Sequence, residues 1–148
     1  MKKIISIPPN YFYLLIILAI PFRFFFKDLN LIQFPWNILG IILMIIGIIF
    51  VIIPYNLFVK YKTPEKFQPS TCVVTDGIYK YSRNPMYLGG LIFLIGLVII
   101  LQNVLAFIAP IVFFLIINYM FIPYEEEKME TECGQDYLLY KKKVSRWL

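Results

Sequence analysis

The sequence predicts an all-α integral membrane protein with about four transmembrane helices, the last two forming a helical hairpin, followed by a C-terminal helical tail. Of its 148 residues, 60% are hydrophobic and only 16% are charged, whereas soluble domains are usually nearer to half apolar. The apolar residues also come in long runs, and a transmembrane helix needs about 20 of them. The chain therefore has room for about four spans, and we treat residues 1–148 as a single domain.

The first predicted helix covers about residues 10–26. Two lysines precede its apolar run, as in a signal peptide, but no small-residue cleavage site follows, and Pro8 and Pro9 would disrupt the apolar core of such a signal. We therefore expect a retained first helix. Arg23 and Lys27, near its end, can extend to the membrane interface.

The second predicted helix covers about residues 36–61. It begins near Trp36, an aromatic residue of the kind that is enriched at membrane interfaces. Gly40 and Gly47 are one heptad apart and fall on one face, where they allow another helix to approach closely. Pro54 is expected to kink the helix near its far end.

Two shorter apolar runs predict the third and fourth helices, at about residues 86–101 and 104–124. Gln102 and Asn103 interrupt the hydrophobicity between them, which favours a tight helical hairpin. Residues 62–85, between the second and third helices, are polar and rich in turn signals, so we expect a loop there.

Residues 125–148 form a highly charged tail in which the acids come first and the bases last, an order that suits a helix dipole. Gly134 is expected to interrupt this helix. Apolar side chains recur at three- and four-residue steps, and such a stripe favours a tail that lies against the membrane surface. The stripe consists of Met129, Cys133, Tyr137, Tyr140 and Val144.

Lysines and arginines are concentrated on one side of the predicted topology. They precede the first helix and occur in the loop and in the tail, whereas the other side has only Arg23 and Lys27. The positive-inside rule then places both termini, loop 62–85 and tail 125–148 in the cytoplasm. The loop and the tail would face the same compartment and form one site.

The chain contains two cysteines and no histidine. That composition argues against a structural zinc site, and we expect no metal. It also removes the commonest general base. Any chemistry would depend on carboxylates, tyrosines, lysines, arginines, backbone groups or a cofactor, and we expect no nucleic-acid partner.

Two polar clusters reach the predicted cytoplasmic face, residues 77–87 and Glu125–Glu127. Three carboxylates at the C-terminal end of a helix oppose its macrodipole. They are either solvated charges that end the membrane span, or one of them meets a cation, which would be Arg83 or a cationic ligand. Tyrosines in the first cluster offer ring faces to such a ligand. Asn84 and Pro85 read as an ordinary helix start, with Asn84 as the N-cap.

The two clusters resemble motifs of the isoprenylcysteine carboxyl methyltransferase family, which belongs with membrane methyltransferases that include phospholipid N-methyltransferases. The segment GIYKYSRNPMYLGG is similar to the family form G-x-Y-x-x-x-R-H-P-x-Y-x-G. The later segment, EExxMxxxCGxxYxxYxxxVxRW, is similar to E-E-x-x-L-x-x-x-F-G-x-x-Y-x-x-Y. The matching residues are Gly77, Tyr79, Arg83, Pro85, Tyr87 and Gly89, then Glu125, Glu126, Gly134, Tyr137, Tyr140 and Val144.

Two departures from the family pattern bear on the chemistry. Asn84 stands where the family has histidine, so its side chain can form hydrogen bonds but cannot transfer protons. Phe121 stands where similar eukaryotic members carry an arginine that is implicated in engaging the substrate carboxylate. The resemblance implies an acceptor that is either the carboxylate of an isoprenylcysteine-like molecule or a lipid amine.

The resemblance implies methyl transfer from S-adenosylmethionine to a lipophilic acceptor from the bilayer, without a Rossmann domain. Glu125 would pair with the ammonium group of the cofactor and tyrosine faces would cover its sulfonium. Arg83 and Glu126 are assigned to catalysis, with Glu126 as the base for an amine acceptor. The implied cofactor-binding residues are Thr71, Cys72, Val73, Val74, Tyr79, Asn84, Pro85, Met86, Tyr87 and Glu125.

Two alternatives stay open at this point. One is a nicotinamide-dependent membrane reductase of the sterol-reductase type, and the other is a small membrane protein without enzymatic activity. The sequence predicts no oligomeric state.

Overall fold

The computed structural model describes residues 8–29, 32, 34–62 and 73–148, and all regular secondary structure in these ranges is helical. The predicted all-α class is therefore confirmed, and the helix bounds lie within a few residues of the predicted ones. The α-helices are α1 (Pro8–Phe25), α2 (Asn37–Lys62), α3 (Pro85–Leu101), α4 (Ile108–Ile116) and α5 (Ile122–Lys143).

The last part of the chain is helical almost throughout. A 3₁₀ turn, Val104–Phe107, leads into α4, and a π-helical segment, Ile117–Phe121, joins α4 to α5. The predicted fourth span and the charged tail are thus one continuous helical path. Gly134 interrupts it with φ 52° and ψ −125°. This conformation strongly favours glycine, and it changes the direction of the helix before its last turns.

Two helical stretches of the described residues are long and apolar enough to cross a membrane by length and composition. They are Asn37–Tyr61 and Val104–Lys143, while α1 and α3 contain shorter apolar helices. Large side chains of α2, among them Ile41 and Ile45, are about half exposed. An apolar surface of this extent fits a protein that is embedded in a membrane.

Helices α2 and α3 pack backbone to backbone at two pairs of glycines. A methyl group built on Gly40 would lie 2.5 Å from the Gly96 carbonyl oxygen, and one built on Gly47 would lie 2.7 Å from the Gly89 carbonyl oxygen. Both distances are too short for any side chain. The predicted close approach along the Gly40–Gly47 face is confirmed, and α3 is its partner.

Helix α1 packs through aromatic rings on the other side of α3. The Phe12 ring centroid lies 5.6 Å from that of Phe93 and 5.7 Å from that of Phe113. Tyr11 packs edge-on against Phe121 at 5.6 Å. The buried core beneath these rings includes Ala19, Leu94, Val98, Ile117 and Ile122.

The turn between α3 and the next helical segment is tied to the end of α1. Arg23 Nη1 donates to the carbonyl oxygens of Ile100 and Leu101, at 3.2 and 3.1 Å, and to Gln102 Oε1 at 2.8 Å. Asn103 Nδ2 donates to the Phe22 carbonyl oxygen at 3.0 Å. Arg23 therefore caps the last carbonyls of α3, which a local sequence pattern did not predict.

Candidate active site

A cavity of about 710 Å³ lies where the end of α2, residues 73–84, the start of α3 and the first turns of α5 meet. Its size is within the usual range of small-molecule sites. Thr71 and Cys72 lie outside the described residues. The other predicted site residues all line this cavity, namely Val73, Val74, Tyr79, Arg83, Asn84, Pro85, Met86, Tyr87, Glu125 and Glu126.

Hydrogen bonds at both ends hold the segment before α3 in place. The Tyr61 hydroxyl, at the end of α2, donates to the Asp76 carboxylate. The Tyr140 hydroxyl, on α5, donates to the Tyr79 carbonyl oxygen at 2.7 Å. Burial and the nearby charge of Glu125 raise the pKa of the Tyr79 phenol to about 12. Tyr79 is thus a protonated, buried ring in the cavity wall.

Tyr87 and Glu125 form a direct pair across the cavity wall. The Tyr87 hydroxyl, in the first turn of α3, donates to Glu125 Oε1 at 2.7 Å. Burial raises the pKa of the Glu125 carboxyl above its ordinary value, and the hydrogen bond from Tyr87 and the charge of Lys128 oppose the rise. Two residues predicted to bind one cofactor are therefore in contact with each other.

Glu126 is the carboxylate that meets Arg83. Its Oε1 lies 3.0 Å from Arg83 Nη1, and only 9% and 7% of the two side chains are exposed. Lys141 Nζ lies 3.2 Å from Oε2, and Arg146 Nη2 lies 3.0 Å from the same oxygen. Of the two interpretations of the glutamate cluster, the geometry favours a carboxylate that meets a cation, whereas Glu127 is exposed.

These ion pairs disfavour the predicted role of Glu126 as a base. Burial raises the pKa of its carboxyl, but hydrogen bonds from Arg146 and Lys141 and the charge of Arg83 outweigh that effect and leave the pKa below its ordinary value. A carboxylate with a lowered pKa accepts protons weakly. The arrangement instead makes Glu126 the anion that holds three cations together.

Asn84 occupies the N-cap position of α3 and Pro85 the first turn, as predicted, but the Asn84 side chain makes no capping hydrogen bond within the described part of the chain. Its Nδ2 donates instead to the Arg146 carbonyl oxygen at 3.0 Å. The Ser82 hydroxyl accepts the Asn84 backbone N–H at 3.2 Å. The side chain that replaces the family histidine thus contacts the chain's last residues.

The sequence did not assign a role to Arg146, Trp147 or Asn118, yet the structure brings them together beside Glu126. Trp147 Nε1 donates to Asn118 Oδ1 at 3.0 Å, and Arg146 Nη1 lies 3.4 Å from the same oxygen. Arg146 and Trp147 end the second matching motif, which was the available signal. For Asn118, the available signal was a single amide side chain inside an apolar run.

The opposite wall of the cavity is apolar. It is formed by Phe12 and Tyr13 of α1, Val51 and Phe58 of α2, and Phe113 of α4. The cavity therefore has a charged end near α5 and an apolar end among helices that the sequence predicts to cross the membrane.

The apolar stripe of the tail faces the cavity rather than the membrane surface. Four of its five predicted members line the cavity, whereas Val144 lies beside a smaller pocket with Lys80 and Asp136. Tyr81, one of the tyrosines of the first cluster, is 70% exposed and lies away from the cavity lining. The four cavity-lining members are Met129, Cys133, Tyr137 and Tyr140.

Comparison with known proteins gives a family match and two named relatives. The phospholipid methyltransferase family model matches residues 36–135. The chain is 37% identical over 75 residues to the protein-S-isoprenylcysteine O-methyltransferase of Schizosaccharomyces pombe, an overlap of 49% of this chain and 30% of that protein. It is 34% identical over 76 residues to protein-S-isoprenylcysteine O-methyltransferase B of Arabidopsis thaliana, covering 49% and 36% of the two chains.

A third relative is an uncharacterised protein of Haemophilus influenzae, 43% identical over 63 residues, which are 43% of this chain and 100% of that protein. The aligned part spans about a third of the length of the two methyltransferases. No solved structure matches the chain.

Proposed function

The chain belongs to the phospholipid methyltransferase family, and we propose that it transfers a methyl group from S-adenosylmethionine to a lipophilic acceptor in the membrane. The names of the fission yeast and Arabidopsis relatives support methyl transfer as the reaction. The observation that carries the proposal is the cavity, because one lining combines charged and tyrosine side chains with apolar side chains of α1, α2 and α4. That division suits a polar donor and a lipophilic acceptor that react with each other.

The residues at the charged end fit the proposed cofactor. S-adenosylmethionine carries an ammonium, a sulfonium and a carboxylate, so its site needs an anion, aromatic faces and a donor. Glu125 supplies a half-buried carboxylate, and the rings of Tyr79 and Tyr87 line the same wall. Arg83 Nε is buried without a hydrogen-bond partner among the described residues. It is therefore available to a ligand oxygen.

The chemistry requires alignment and a dry site more than acid–base groups. When bound, the cofactor would supply a methyl group on a sulfonium: the acceptor lone pair would bond to the methyl carbon in line as the carbon–sulfur bond breaks, and the sulfur would keep that bonding pair as a neutral thioether. Glu125 orients the donor through its ammonium. The buried ring of Tyr79 excludes water from the same wall.

The acceptor would occupy the apolar end. A carboxylate acceptor is already a nucleophile at neutral pH and needs no base, whereas an amine acceptor must lose a proton. Because three cations hold Glu126, this carboxylate is a weak base. The site therefore suits an acceptor that need not lose a proton, which is an isoprenylcysteine-like carboxylate or an already neutral amine. Phe121 is 2% exposed and packs on Tyr11, so its position contributes packing and no positive charge.

The proposal includes a membrane arrangement. Helices α1, α2 and α3 and residues 104–124 would each cross the bilayer, with the cavity's charged end at the cytoplasmic face. Residues 73–84 and 125–147 would then take the donor from the cytoplasm, while the acceptor would enter sideways from the lipid. Accessibility labelling of single cysteines at Thr75 and Gln102 in intact cells tests this topology, because the two positions should be labelled from opposite sides.

Calorimetric titration of the purified protein in detergent or lipid nanodiscs tests the function. We expect saturable binding of S-adenosylmethionine and none of NADPH. Glu125→Gln and Tyr87→Phe should each weaken binding about tenfold. Glu127→Gln and Tyr119→Phe are the matched controls, because both side chains are exposed and lie outside the cavity lining. Binding of NADPH alone would favour the reductase alternative, and binding of neither would remove the proposal.

A further inference from the structure

Residues 145–147, which we call the C-terminal strap, join two parts of the cavity wall that are distant in sequence. The strap's main chain contacts residues 83–84, just before α3. Its side chains contact residues 114–126, from α4 through the π-helical segment to α5. The strap is therefore placed to fix the two walls relative to each other.

The main-chain contacts hold the loop side. The Arg83 backbone N–H donates to the Ser145 carbonyl oxygen at 3.0 Å. The Asn84 side chain donates to the Arg146 carbonyl oxygen at 3.0 Å. Two adjacent residues of the cavity wall are thus bound to two adjacent carbonyls of the strap.

The side-chain contacts hold the helix side. Arg146 binds Glu126 in a bidentate manner. Its Nε donates to Oε1 at 3.2 Å and its Nη2 donates to Oε2 at 3.0 Å. Such two-point pairing fixes orientation as well as distance. Trp147 donates to Asn118 Oδ1 at 3.0 Å, and its ring centroid lies 5.3 Å from that of Phe114. The side chains of Arg146 and Trp147 therefore bind both α5 and the π-helical segment.

We propose that Arg146 is a positioning residue for the cofactor, an inference that rests on the proposed function. Within the described residues, Arg146 is not part of the cavity lining, so it acts through Glu126 and Asn84, which are. Glu126 in turn holds Arg83 Nη1 at 3.0 Å. Through these contacts the strap sets the direction of the Arg83 guanidinium. Its Nε, which has no hydrogen-bond partner in the described part of the chain, is then available to the carboxylate of the cofactor.

The test compares Arg146→Gln with Arg23→Gln. Arg23 also donates hydrogen bonds to residues 100–102, which do not line the cavity. Thermal unfolding and calorimetric titration with S-adenosylmethionine are measured on both full-length variants. We expect Arg146→Gln to weaken cofactor affinity about tenfold, Arg146→Lys to weaken it less, and Arg23→Gln to lower thermal stability with unchanged affinity.

A double-mutant cycle separates positioning from general damage. Glu126→Gln and Arg146→Gln should each weaken affinity, and the double variant should lose no more than the worse single variant, because both substitutions break the same pair. Additive losses would mean that Arg146 does not act through Glu126. Equal losses of affinity in Arg146→Gln and Arg23→Gln would also overturn the proposal, since they would reflect stability alone.

A second measurement does not depend on any change at Arg146. The chain has two tryptophans, so Trp36→Phe leaves Trp147 as the single tryptophan, which is excited at wavelengths that the tyrosines do not absorb. Saturating S-adenosylmethionine should tighten the strap and protect Trp147 from acrylamide quenching. Unchanged quenching, or wild-type affinity in Arg146→Gln, would overturn the inference while the proposed function stands. If the wild type itself does not bind the cofactor, both fail.

Discussion

Arg83 and Glu126 form an ion pair at 3.0 Å with less than a tenth of either side chain exposed. Each comes from one of the two segments that the sequence placed on the same face of the membrane. Their contact closes the charged end of the cavity. The expectation that these glutamates oppose a helix macrodipole was wrong, because the helical path continues beyond residue 124 and Glu126 lies near the start of α5, not at a helix C-terminus.

We expect Glu126→Gln to destabilise the protein by about 3–5 kcal/mol, because it leaves the buried Arg83 without its counter-charge. Thermal unfolding in detergent measures the change. The neighbouring exposed Glu127→Gln should alter stability by less than about 0.5 kcal/mol. Similar melting temperatures for the two variants would show that the pair contributes little.

The affinity for S-adenosylmethionine should depend on pH through Glu125. The raised pKa of this carboxyl means that it becomes neutral at a higher pH than an exposed glutamate does. Since a cationic ligand binds best to the ionised form, affinity should be full above that raised pKa and fall below it towards that of Glu125→Gln, about tenfold weaker. Tyr79, whose pKa is raised to about 12, keeps its proton across the range of about pH 4.5 to 8. The Tyr87 hydroxyl and the charge of Lys128 also act on this carboxyl.

Calorimetric titration across that range checks the dependence. Glu125→Gln should bind more weakly and with little change as the pH falls. If this variant kept the pH dependence of the wild type, another group would be responsible for it.

Gly47→Ala should be destabilising although alanine is ordinarily the better helix former. Its methyl group would lie 2.7 Å from the Gly89 carbonyl oxygen, so α2 and α3 would have to separate at a cost of about 1–3 kcal/mol. Ile45→Ala, at a position on α2 that is about half exposed, is the control. A neutral or stabilising Gly47→Ala would show that the two helices have room to adjust.

Gly134→Ala tests the backbone rather than the space around it. No described atom lies within 4 Å of a methyl group built there, but the positive φ of 52° strains any L side chain. We expect a loss of about 1–3 kcal/mol in unfolding free energy. Gln135→Ala, at an exposed position one residue on, should be nearly neutral, and equal stabilities would mean that the helix can straighten without loss.

Val51→Trp should weaken binding of the acceptor without affecting binding of the donor. Val51, although 37% exposed, lines the apolar end of the cavity, whereas the adjacent Ile52 is 51% exposed and lies outside the lining. We expect Val51→Trp to raise the KM for a lipophilic acceptor several-fold with unchanged S-adenosylmethionine affinity. Ile52→Trp should change neither. A loss of cofactor affinity in Val51→Trp would place the cofactor at the apolar end instead.

Much of the architecture was predictable because membrane helices follow from apolar length alone. The helix bounds and the packing face of Gly40 and Gly47 came from patterns within single segments. The grouping of loop and tail residues came from the two motifs together with their predicted common side. The structure brings most of the matching residues of both motifs to one cavity, but Gly77, Gly89, Gly134 and Val144 lie outside its lining. The roles of the lining residues in binding and catalysis stay predictions.

The contacts that escaped prediction join residues far apart in sequence and often end on backbone atoms. Asn84 has an ordinary N-cap pattern, yet its side chain binds a carbonyl 62 residues later. Arg23 is predicted to lie near the membrane interface, and that stays a prediction. Its hydrogen bonds to the last carbonyls of α3 escaped prediction because those carbonyls have no sequence signature. The ion pairs of Glu126 likewise depend on where the chain's final turn brings Arg146.

The glycine contacts also bear on how this chain can change over time. Helix α2 touches α3 through bare backbone at Gly40 and Gly47, while many of its isoleucines point outward. The outward positions can exchange among apolar residues with little effect on packing. The two glycines have no such freedom, because any substitution must displace a whole helix. Substitutions in α2 should therefore accumulate rapidly at the outward-pointing positions and be nearly absent at Gly40 and Gly47.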